Sequence, residues 1–535
     1  MMDEDFARLQ RETARRRTFA IISHPDAGKT TLTEKLLLYS GLLRTAGMVK
    51  NRKGGRLATS DWMAMEQERG ISITASAMQF EYRGAVINVL DTPGHQDFSA
   101  DTYRTLTAAD AAIMVLDAAK GVEAQTRKLF AACRLRGIPV LSFINKLDLP
   151  AREPLSLLAE IEEVLGIQAS AINWPTGSGR DFIGVVERAT RDLLLFEKTS
   201  SGGAQRAALR RLPFASDEAR AALGESAHSR LREELEMLDV AGNPFSREAF
   251  LAGQVTPVFF GSALTNFGVE PFFDAFVELA PSPQARLALA GDGSLALDPV
   301  QAPFSAYVFK IQANMDPRHR DRLSFIRVCS GRFERDMVVK HIRGGRVLRE
   351  LRLSRPNSLV ARERTTIDEA FPGDIVGLIN DGFAIGDTLS ARAGIAFPEL
   401  PQFPPEHFAR IEPLDLARRK AFDKGMETLA GEGAVLVLRP YEQPLASPFI
   451  AAVGRLQFEV LQYRLRDEWG VETRLTPLSY SCSGWLEGDV ARFQPTPGCQ
   501  LARDERGRIA VLFPSAWDRE YCLRQNPGHR LLEIA

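Results

Sequence analysis

The first 283 residues alternate short, β-branched apolar runs with longer stretches that carry apolar residues at helical spacing. The apolar runs predict strands at residues 19–22, 86–90, 112–116, 140–144 and 258–260. The helical spacing predicts helices between them, for example at residues 122–136 and 152–165. Strands that alternate with helices indicate a mostly parallel α/β sheet, which binds ligands at the carboxyl ends of its strands.

The pattern then changes along the chain. A polar and strongly helical stretch interrupts the α/β alternation, and a Pro-rich helix end leads into a Gly- and Ala-rich stretch. Short strands separated by Gly, Asp and Asn follow, which is typical of a small antiparallel β-barrel, and helices and strands mix again after it. We therefore predict a multidomain α/β protein with a first domain at 1–283, an inserted subdomain at about 166–254, a linker at 284–303, a β-barrel domain at 304–395 and an α+β domain at 396–535.

Length and composition fit this division. A chain of 535 residues is too long for one core, and its 45% hydrophobic and 25% charged residues are ordinary for a soluble globular protein. The chain has no apolar run long enough to span a membrane, and its amino terminus lacks the apolar segment of a signal peptide. Five scattered cysteines suit a reducing compartment. We expect a cytoplasmic protein with no membrane partner.

The net charge of −1 argues against a surface built throughout to hold nucleic acid, and no DNA partner is expected. Local basic patches are still compatible with this charge. The candidates are Arg15 to Arg17, Arg318 to Arg322 and Arg418 to Lys420. Each is interpreted on its own as a solvated face, because runs of charge usually are.

The first motif follows the first predicted strand and precedes a predicted helix. Its residues are Ser23, His24, Pro25, Asp26, Ala27, Gly28, Lys29, Thr30 and Thr31. Such a loop can wrap its backbone N–H groups around phosphates, with Lys29 reaching the β- and γ-phosphates and the Thr30 hydroxyl binding Mg²⁺. Ser23 stands where the phosphate-loop pattern has glycine. By itself the loop modestly favours nucleotide binding over a chance Gly-Lys-Thr at a helix start.

Three further motifs follow predicted strands of the same sheet. They are Asp91, Thr92, Pro93, Gly94 and His95; then Asn145, Lys146, Leu147 and Asp148; then Gly261, Ser262, Ala263 and Leu264. Asp91 stands where a phosphate-loop enzyme holds Mg²⁺. Asp148 can accept hydrogen bonds from guanine N1–H and N2–H₂, which adenine does not offer together. Each motif alone is weak, but their order along one sheet predicts a GTP site.

A segment from Arg69 to Thr74 lies between the first two motifs and offers a hydroxyl at Ser72. A loop that binds Mg²⁺ and γ-phosphate and releases them after hydrolysis needs such a group. With these motifs the chain resembles translational GTPases, and most closely the bacterial peptide chain release factor 3 family. Residues 60–66, 172–177, 309–322 and 454–460 are also similar to that family, so the resemblance covers nearly the whole chain.

The resemblance implies a phosphate-loop GTPase domain followed by the two other domains, with GTP or GDP and Mg²⁺ as cofactors. It implies that Thr30, Ser72 and Asp91 hold Mg²⁺ and that His95 orients the attacking water once the ribosome positions it. Pro25 and Ile71 match an apolar gate that holds His95 back. The implied partners are the ribosome and the class I peptide release factors, and a monomer is expected off the ribosome.

Two alternatives stay open at this point. An elongation factor G-like translocase or a ribosomal-protection protein shares the GTPase motifs but carries further domains, for which a chain ending at Ala535 has no room. The second alternative is a nucleotide-gated binding protein with negligible hydrolysis. The presence of His95 and of a complete switch segment argues against this alternative. The favoured hypothesis is a ribosome-dependent GTPase of translation termination that dissociates class I release factors after peptide release.

Overall fold

The fold is described from a computed structural model of the full chain. The structure describes residues 2–42, 76–197, 205–291, 293–313, 322–354, 356–360, 363–380, 382–400, 402–442 and 447–532. Some residues with roles assigned from the sequence lie outside these ranges. They are the segment 69–74, which includes Ile71 and Ser72, and the basic residues Arg318 and Arg320.

A mixed, mostly parallel sheet forms the centre of the first unit. In the described part of the chain it has seven strands in the order β2-β3-β1-β4-β5-β11-β6. Its strands are β1 (Arg16–Ser23), β2 (Ser76–Tyr82), β3 (Ala85–Asp91), β4 (Ala111–Asp117), β5 (Val140–Asn145), β6 (Gln168–Ala171) and β11 (Val255–Phe260). Only β2 runs antiparallel to its neighbour, β3. Every residue of β3, β4, β5 and β11 is buried, because helices cover both faces of such a sheet.

Helices precede, separate and follow the strands of this sheet along the chain, and their buried apolar residues pack on its two faces. They are α1 (Met2–Arg15), α2 (Lys29–Ser40), α3 (Ser99–Thr107), α4 (Ala124–Leu135), α5 (Pro154–Leu165) and α9 (Val269–Leu279). In α4 the buried Leu129, Phe130 and Cys133 recur at helical spacing and face the sheet. The five strands and two helices predicted in this region are confirmed, with boundaries shifted by a few residues.

The stretch predicted as an insertion folds beside the sheet. After β6 it contains an antiparallel four-stranded sheet within the described residues, in the order β10-β9-β8-β7. Its elements are β7 (Asn173–Pro175), β8 (Gly184–Glu187), β9 (Asp192–Phe196), β10 (Leu209–Pro213), α6 (Asp217–Leu223), α7 (Glu225–Ala241) and α8 (Arg247–Leu251). The buried Trp174 donates its indole N–H to Glu234 of α7 at 2.7 Å, which ties the small sheet to its helix.

Antiparallel strands form the second unit. A hairpin of β12 (Arg286–Ala290) and β13 (Gly293–Leu297) occupies the stretch expected to be a linker. The larger sheet contains β14 (Ser305–Ala313), β15 (Arg322–Ser330), β17 (Val338–Arg343), β18 (Arg346–Arg352), β19 (Pro356–Val360), β20 (Glu363–Thr366), β22 (Ile375–Ile379) and β23 (Thr388–Ser390), with β16 (Phe333–Glu334) and β21 (Glu369–Ala370) paired beside it. The strand β17 begins at Val338, because Asp336 has a φ of 66° and belongs to the preceding turn.

An α+β arrangement forms the third unit. Its antiparallel strands are β24 (His407–Pro413), β25 (Leu436–Pro440), β26 (Phe449–Ala452), β27 (Thr473–Pro477), β28 (Cys482–Glu487), β29 (Gln500–Arg503), β30 (Ile509–Phe513) and β31 (Arg530–Leu532). Its helices are α10 (Arg419–Gly431), α11 (Leu456–Trp469) and α12 (Ala516–Gln525). Leu429, Leu461 and Leu465 pack the first two helices on the sheet residue Ile450. The predicted fold class is confirmed by these three architectures.

Buried charges join the first unit to the second. Asp110, beside the start of β4, accepts hydrogen bonds from Arg327 at 2.6 Å and from Arg286 at 3.1 Å. Asp374 accepts from Arg16, at 3.2 Å in its shortest contact, and from Gln79 at 2.9 Å. Arg16 therefore belongs to a buried interface, and the interpretation of Arg15 to Arg17 as a solvated face is wrong for this residue. The partners in each pair are far apart in sequence, which left no local signal.

Among the residues that the structure describes, none of the helices combines the length and apolar content that crossing a bilayer requires.

Candidate functional site

The phosphate loop joins the carboxyl end of β1 to the amino end of α2. Ser23 is the last residue of β1 and is buried, and the helix begins at Lys29. Between them Asp26 and Gly28 take left-handed conformations, with φ values of 66° and 100°. Left-handed residues within such a turn direct successive N–H groups toward one concavity, which suits an anion. His24 and Pro25 are half-buried, and His24 Nε2 lies 3.3 Å from Glu123 Oε1.

Asn145 connects the phosphate loop to the two loops expected to bind the base. Its Nδ2 donates to the Ala27 carbonyl at 2.9 Å, and its Oδ1 accepts the Ala263 N–H at 2.8 Å. A Cβ on Gly28 would stand 2.2 Å from Asn145 Nδ2, so glycine is required there for space as well as for its φ. One buried side chain thus sets the distance between the two halves of the site.

Lys29 and Asp91 form a buried ion pair at the centre of the site. The Lys29 Nζ donates to Asp91 Oδ1, and their side chains are 6% and 2% exposed. Thr30 and Thr31 follow in the first turn of α2 and are half-buried. The Thr30 hydroxyl and the Asp91 carboxylate are the hard oxygen donors that Mg²⁺ prefers, so the residues present fit this ion.

The segment from Thr92 to Gly94 lies against the phosphate loop. The Thr92 hydroxyl donates to the Ile21 carbonyl of β1 at 2.6 Å, and the Pro93 carbonyl accepts from the Thr102 hydroxyl at 3.2 Å. A Cβ on Gly94 would lie 3.6 Å from Pro25 Cα. This segment is therefore held close to the loop that is expected to bind the phosphates.

His95 lies at the rim of this arrangement with a third of its side chain exposed. Its Nδ1 is 3.2 Å from the Asp97 backbone nitrogen, which donates to it, and 3.3 Å from Asp97 Oδ1. The ring stands near Phe98, with centroids 6.3 Å apart. With Nδ1 engaged in its own segment, Nε2 is the ring nitrogen left for other contacts.

The residues expected to recognise the base meet at the ends of β5 and β11. Asp148 Oδ1 accepts a hydrogen bond from the Ser262 hydroxyl at 2.6 Å, and the Leu147 N–H donates to the Gly261 carbonyl at 3.3 Å. Ala263 is fully buried, whereas Leu264 is half-buried. The sheet thus brings these two loops together as the sequence order predicted.

Lys146 adopts a left-handed conformation, with φ 71°, and its Nζ donates to Asp117 Oδ2 at 2.8 Å. Burial works against ionisation of Asp117, but hydrogen bonds from Lys146 and the Ala119 N–H outweigh it and lower the Asp117 pKa. The carboxylate stays charged and fixes the lysine stem beside the base loops. Sequence reasoning missed Asp117, although it ends the strand β4 just as Asp91 ends β3.

The inserted unit also supports the base loops, which the sequence did not indicate. Asn173 accepts from the Phe260 N–H at 2.7 Å and donates to the Phe260 carbonyl at 3.2 Å, immediately before Gly261. The Gly179 N–H donates to the carbonyls of Leu147 at 2.8 Å and Leu149 at 3.1 Å. Both halves of the base site therefore rest on this unit.

Two of the remaining basic candidates, Arg17 and Arg419, contact groups of the chain itself. Arg419 is exposed and pairs with Asp423 of the same helix at 3.0 Å, as a solvated helix face does. Arg17 donates to the backbone carbonyls of Val277, Ala14 and Arg16. Neither residue marks a binding patch.

Comparisons with known proteins agree with this site. Residues 14–282 match the family described as elongation factor Tu GTP binding domain. Residues 303–392 match elongation factor G domain 2, and residues 397–523 match the class II release factor RF3 C-terminal domain. The last match favours the termination hypothesis over a translocase.

Full-length relatives are similar throughout. The chain is 51% identical to a peptide chain release factor 3 of Symbiobacterium thermophilum over 97% of this chain and 98% of that protein. It is 51% identical to one of Gloeobacter violaceus, over 98% and 99% of the two chains. It is 52% identical to one of Synechocystis sp., over 96% and 93%.

A crystal structure of a Thermus thermophilus protein has a similar fold, with a TM-score of 0.68 and 22% identity over 92% of this chain and 72% of that one. The strand-end loops joined by Asn145 lie within residues 14–282, which match a GTP-binding domain of the elongation-factor type, and the relatives match over nearly their whole length. The chain therefore belongs to the peptide chain release factor 3 family of translational GTPases.

Proposed function

We propose that the strand-end loops of the first unit bind GTP and GDP and that the ribosome triggers hydrolysis there through His95. The observation that carries this proposal is the Asn145 side chain, which holds the phosphate loop at Ala27 and the base loop at Ala263. A ligand with phosphates at one end and a base at the other fits this arrangement. As a release factor 3 family member, the chain is a GTPase of translation termination that releases class I factors.

Guanine is selected in this proposal by the Asp148 carboxylate. It accepts from the base N1–H and N2–H₂ groups, while the Ala263 N–H, which donates to Asn145 Oδ1, holds the neighbouring loop in place. The Ser262 hydroxyl that contacts Asp148 at 2.6 Å supports the carboxylate orientation. An acceptor that the base covers and that adenine leaves unpaired disfavours ATP strongly. Lys146, held by Asp117, covers the base plane.

The phosphate loop residues Ser23 to Thr31 surround the phosphates. The segment from Thr92 to Gly94 lies beside the γ-phosphate. Lys29 exchanges its contact with Asp91 for the β- and γ-phosphates when nucleotide binds, so its charge stays compensated. Thr30, Asp91 and Ser72 would hold Mg²⁺. When bound, that ion neutralises charge on the transferred phosphoryl group.

His95 acts by alignment rather than by taking a proton, because phosphoryl transfer needs mainly positioning and charge stabilisation. Its Nδ1 is fixed by the Asp97 N–H, so Nε2 is available to orient the attacking water. The family resemblance assigns Pro25 and Ile71 to an apolar gate that keeps the His95 side chain back until the ribosome rearranges the segment, and Ile71 lies outside the described residues.

We assign the GTP-binding domain to residues 1–283 with its insertion at about 166–254, the junction to 284–303, the β-barrel to 304–395 and the α+β domain to 396–535. The protein is a cytoplasmic monomer off the ribosome. The ribosome, through its RNA and proteins, and class I release factors are its partners.

The test uses ribosomes stalled at a stop codon that carry a labelled class I release factor after peptide release. Addition of this protein with GTP is expected to remove the labelled factor, and the Asp148→Asn variant with GTP is not. Retention of the factor together with movement of the messenger RNA would favour translocation. Single-turnover GTP hydrolysis on the same ribosomes separates a GTPase from a binding protein that only senses nucleotide.

A further inference from the structure

Asp97 lies two residues after His95 and contacts a helix of the third unit. Its Oδ2 accepts the Leu456 N–H at 2.8 Å, across 359 residues of sequence. Leu456 is the first residue of α11, whose initial N–H groups have no partner within the helix. The carboxylate therefore caps this helix from another unit, where the positive end of the helix dipole favours a negative charge.

The approach is close enough to require glycine at position 454. A Cβ there would stand 2.0 Å from Asp97 Cγ and 2.3 Å from Asp97 Cβ. The turn that carries Gly454 is itself fixed, because Gln457 Oε1 accepts the N–H groups of Val453 at 2.9 Å and Gly454 at 3.1 Å. Neither side of the contact can give way easily, so the position of α11 and that of Asp97 are coupled.

The second oxygen of the same carboxylate faces His95. Asp97 Oδ1 is 3.3 Å from His95 Nδ1, and the Asp97 N–H donates to the same nitrogen at 3.2 Å. Asp97 is 12% exposed and His95 34%, so water competes little with the carboxylate and more with the ring. A group that holds one ring nitrogen sets the direction of the other.

We propose that Asp97 is a positioning residue that couples the orientation of His95 to the docking of α11 on the first unit. The inference rests on the role proposed for His95 above. When α11 is seated, its Leu456 N–H fixes the Asp97 carboxylate and with it the Asp97 backbone, whose N–H donates to His95 Nδ1 and so fixes the ring. A shift of the third unit breaks this chain of contacts and leaves the ring free to turn, so the ribosome can control hydrolysis by moving the third unit.

Two variants break the contact from opposite sides. Asp97→Ala removes the carboxylate, and Gly454→Ala inserts a methyl group where the carboxylate stands. Each is expected to lower ribosome-stimulated kcat for GTP hydrolysis by about 10- to 100-fold, as loss of an orienting partner does. GDP affinity and the KM for ribosomes stay within about twofold of the wild type, because neither the nucleotide loops nor the outer surface changes.

A conservative variant and two matched controls separate positioning from simple damage. Asp97→Asn keeps an oxygen acceptor for the Leu456 N–H and is expected to retain more turnover than Asp97→Ala. Asp415→Ala removes a carboxylate that accepts the Ala417 N–H at 2.9 Å on the outer surface. Gly528→Ala adds a methyl group with no atom within 4 Å. Both controls are expected to keep wild-type turnover.

A double-mutant cycle gives the decisive readout. If Asp97 acts through His95, Asp97→Ala has no further effect on single-turnover hydrolysis in a His95→Ala background. A further loss there, a rise in ribosome KM without a fall in kcat, or turnover within about twofold of wild type in both Asp97→Ala and Gly454→Ala overturns the inference. Full turnover in His95→Ala alone overturns the role of His95 instead, so the two failures are distinguishable.

Discussion

Replacement of Asn145 by alanine is the sharpest test of how the GTP site is held together. The side chain makes one hydrogen bond to the Ala27 carbonyl at 2.9 Å and one from the Ala263 N–H at 2.8 Å. Ala27 is 1% exposed and Ala263 is fully buried, so water cannot readily replace either partner. The substitution therefore leaves a buried donor and a buried acceptor unpaired, one in each half of the site.

Each unpaired buried group costs about 1–3 kcal/mol, so the two loops together lose about 2–6 kcal/mol of ordering. Part of this free-energy cost lowers the stability of the nucleotide-free protein and does not affect binding. If nucleotide binding must restore the order of one loop, about 1.4–2.8 kcal/mol is lost from binding, which raises the Kd for GDP by about 10- to 100-fold. GTP and GDP are affected equally, because the contact touches neither the γ-phosphate nor the switch segments.

The assay is a titration with a fluorescent GDP analogue, with thermal unfolding measured on the same samples. Asn526→Ala is a matched control, since this buried asparagine also bonds the backbone in both directions, at Gln494, far from the site. We expect the control to lower the unfolding temperature while the Kd stays unchanged. Equal nucleotide affinity in wild type and Asn145→Ala would refute the view that this side chain organises the site.

Three further predictions follow from other contacts. Asp148→Asn is expected to lower GTP affinity by about 100-fold or more and to favour xanthosine triphosphate, measured by competition; unchanged GTP affinity contradicts guanine readout by Asp148. His95→Ala keeps GTP binding but loses about 100-fold or more of ribosome-stimulated turnover in a phosphate-release assay. Burial opposes ionisation of Asp387, but hydrogen bonds from Arg343 and His341 outweigh it and lower its pKa from the ordinary value of an aspartate. The stabilisation relative to Asp387→Asn is thus constant above about pH 5 and shrinks as pH falls through the lowered pKa; a constant difference down to acid unfolding contradicts this.

Sequence reasoning succeeded where one local pattern decides the structure. The strands β1, β3, β4, β5 and β11 are short, apolar and followed by distinctive residues, and parallel strands must be apolar because both faces are covered. The order of the motifs after them then placed the loops at one edge of the sheet.

Sequence reasoning failed where contacts between distant residues decide the structure. The helix α1 is largely polar, and the residue that follows it, Arg16, finds its partner Asp374 in the second unit. The hairpin of β12 and β13 stands in a Gly- and Ala-rich stretch that resembles a linker, yet Leu289 and Ala396 exchange backbone hydrogen bonds there at 2.6 and 3.0 Å. Partners this far apart in sequence leave no local periodicity to find.

The same limit applies inside the site, with a consequence for how its function is divided. The groups that touch nucleotide in our proposal stand in motifs and were named from sequence. The groups that hold them, Asp117, Asn173 and Asp97, were not assigned to the site from sequence, because their effect depends on partners 29, 87 and 359 residues away. Asp117 and Asn173 connect parts of one unit and serve binding, whereas Asp97 connects two units. Relative movement of the units therefore reaches His95 through Asp97 and leaves the base loops undisturbed, which allows nucleotide to stay bound while hydrolysis is switched.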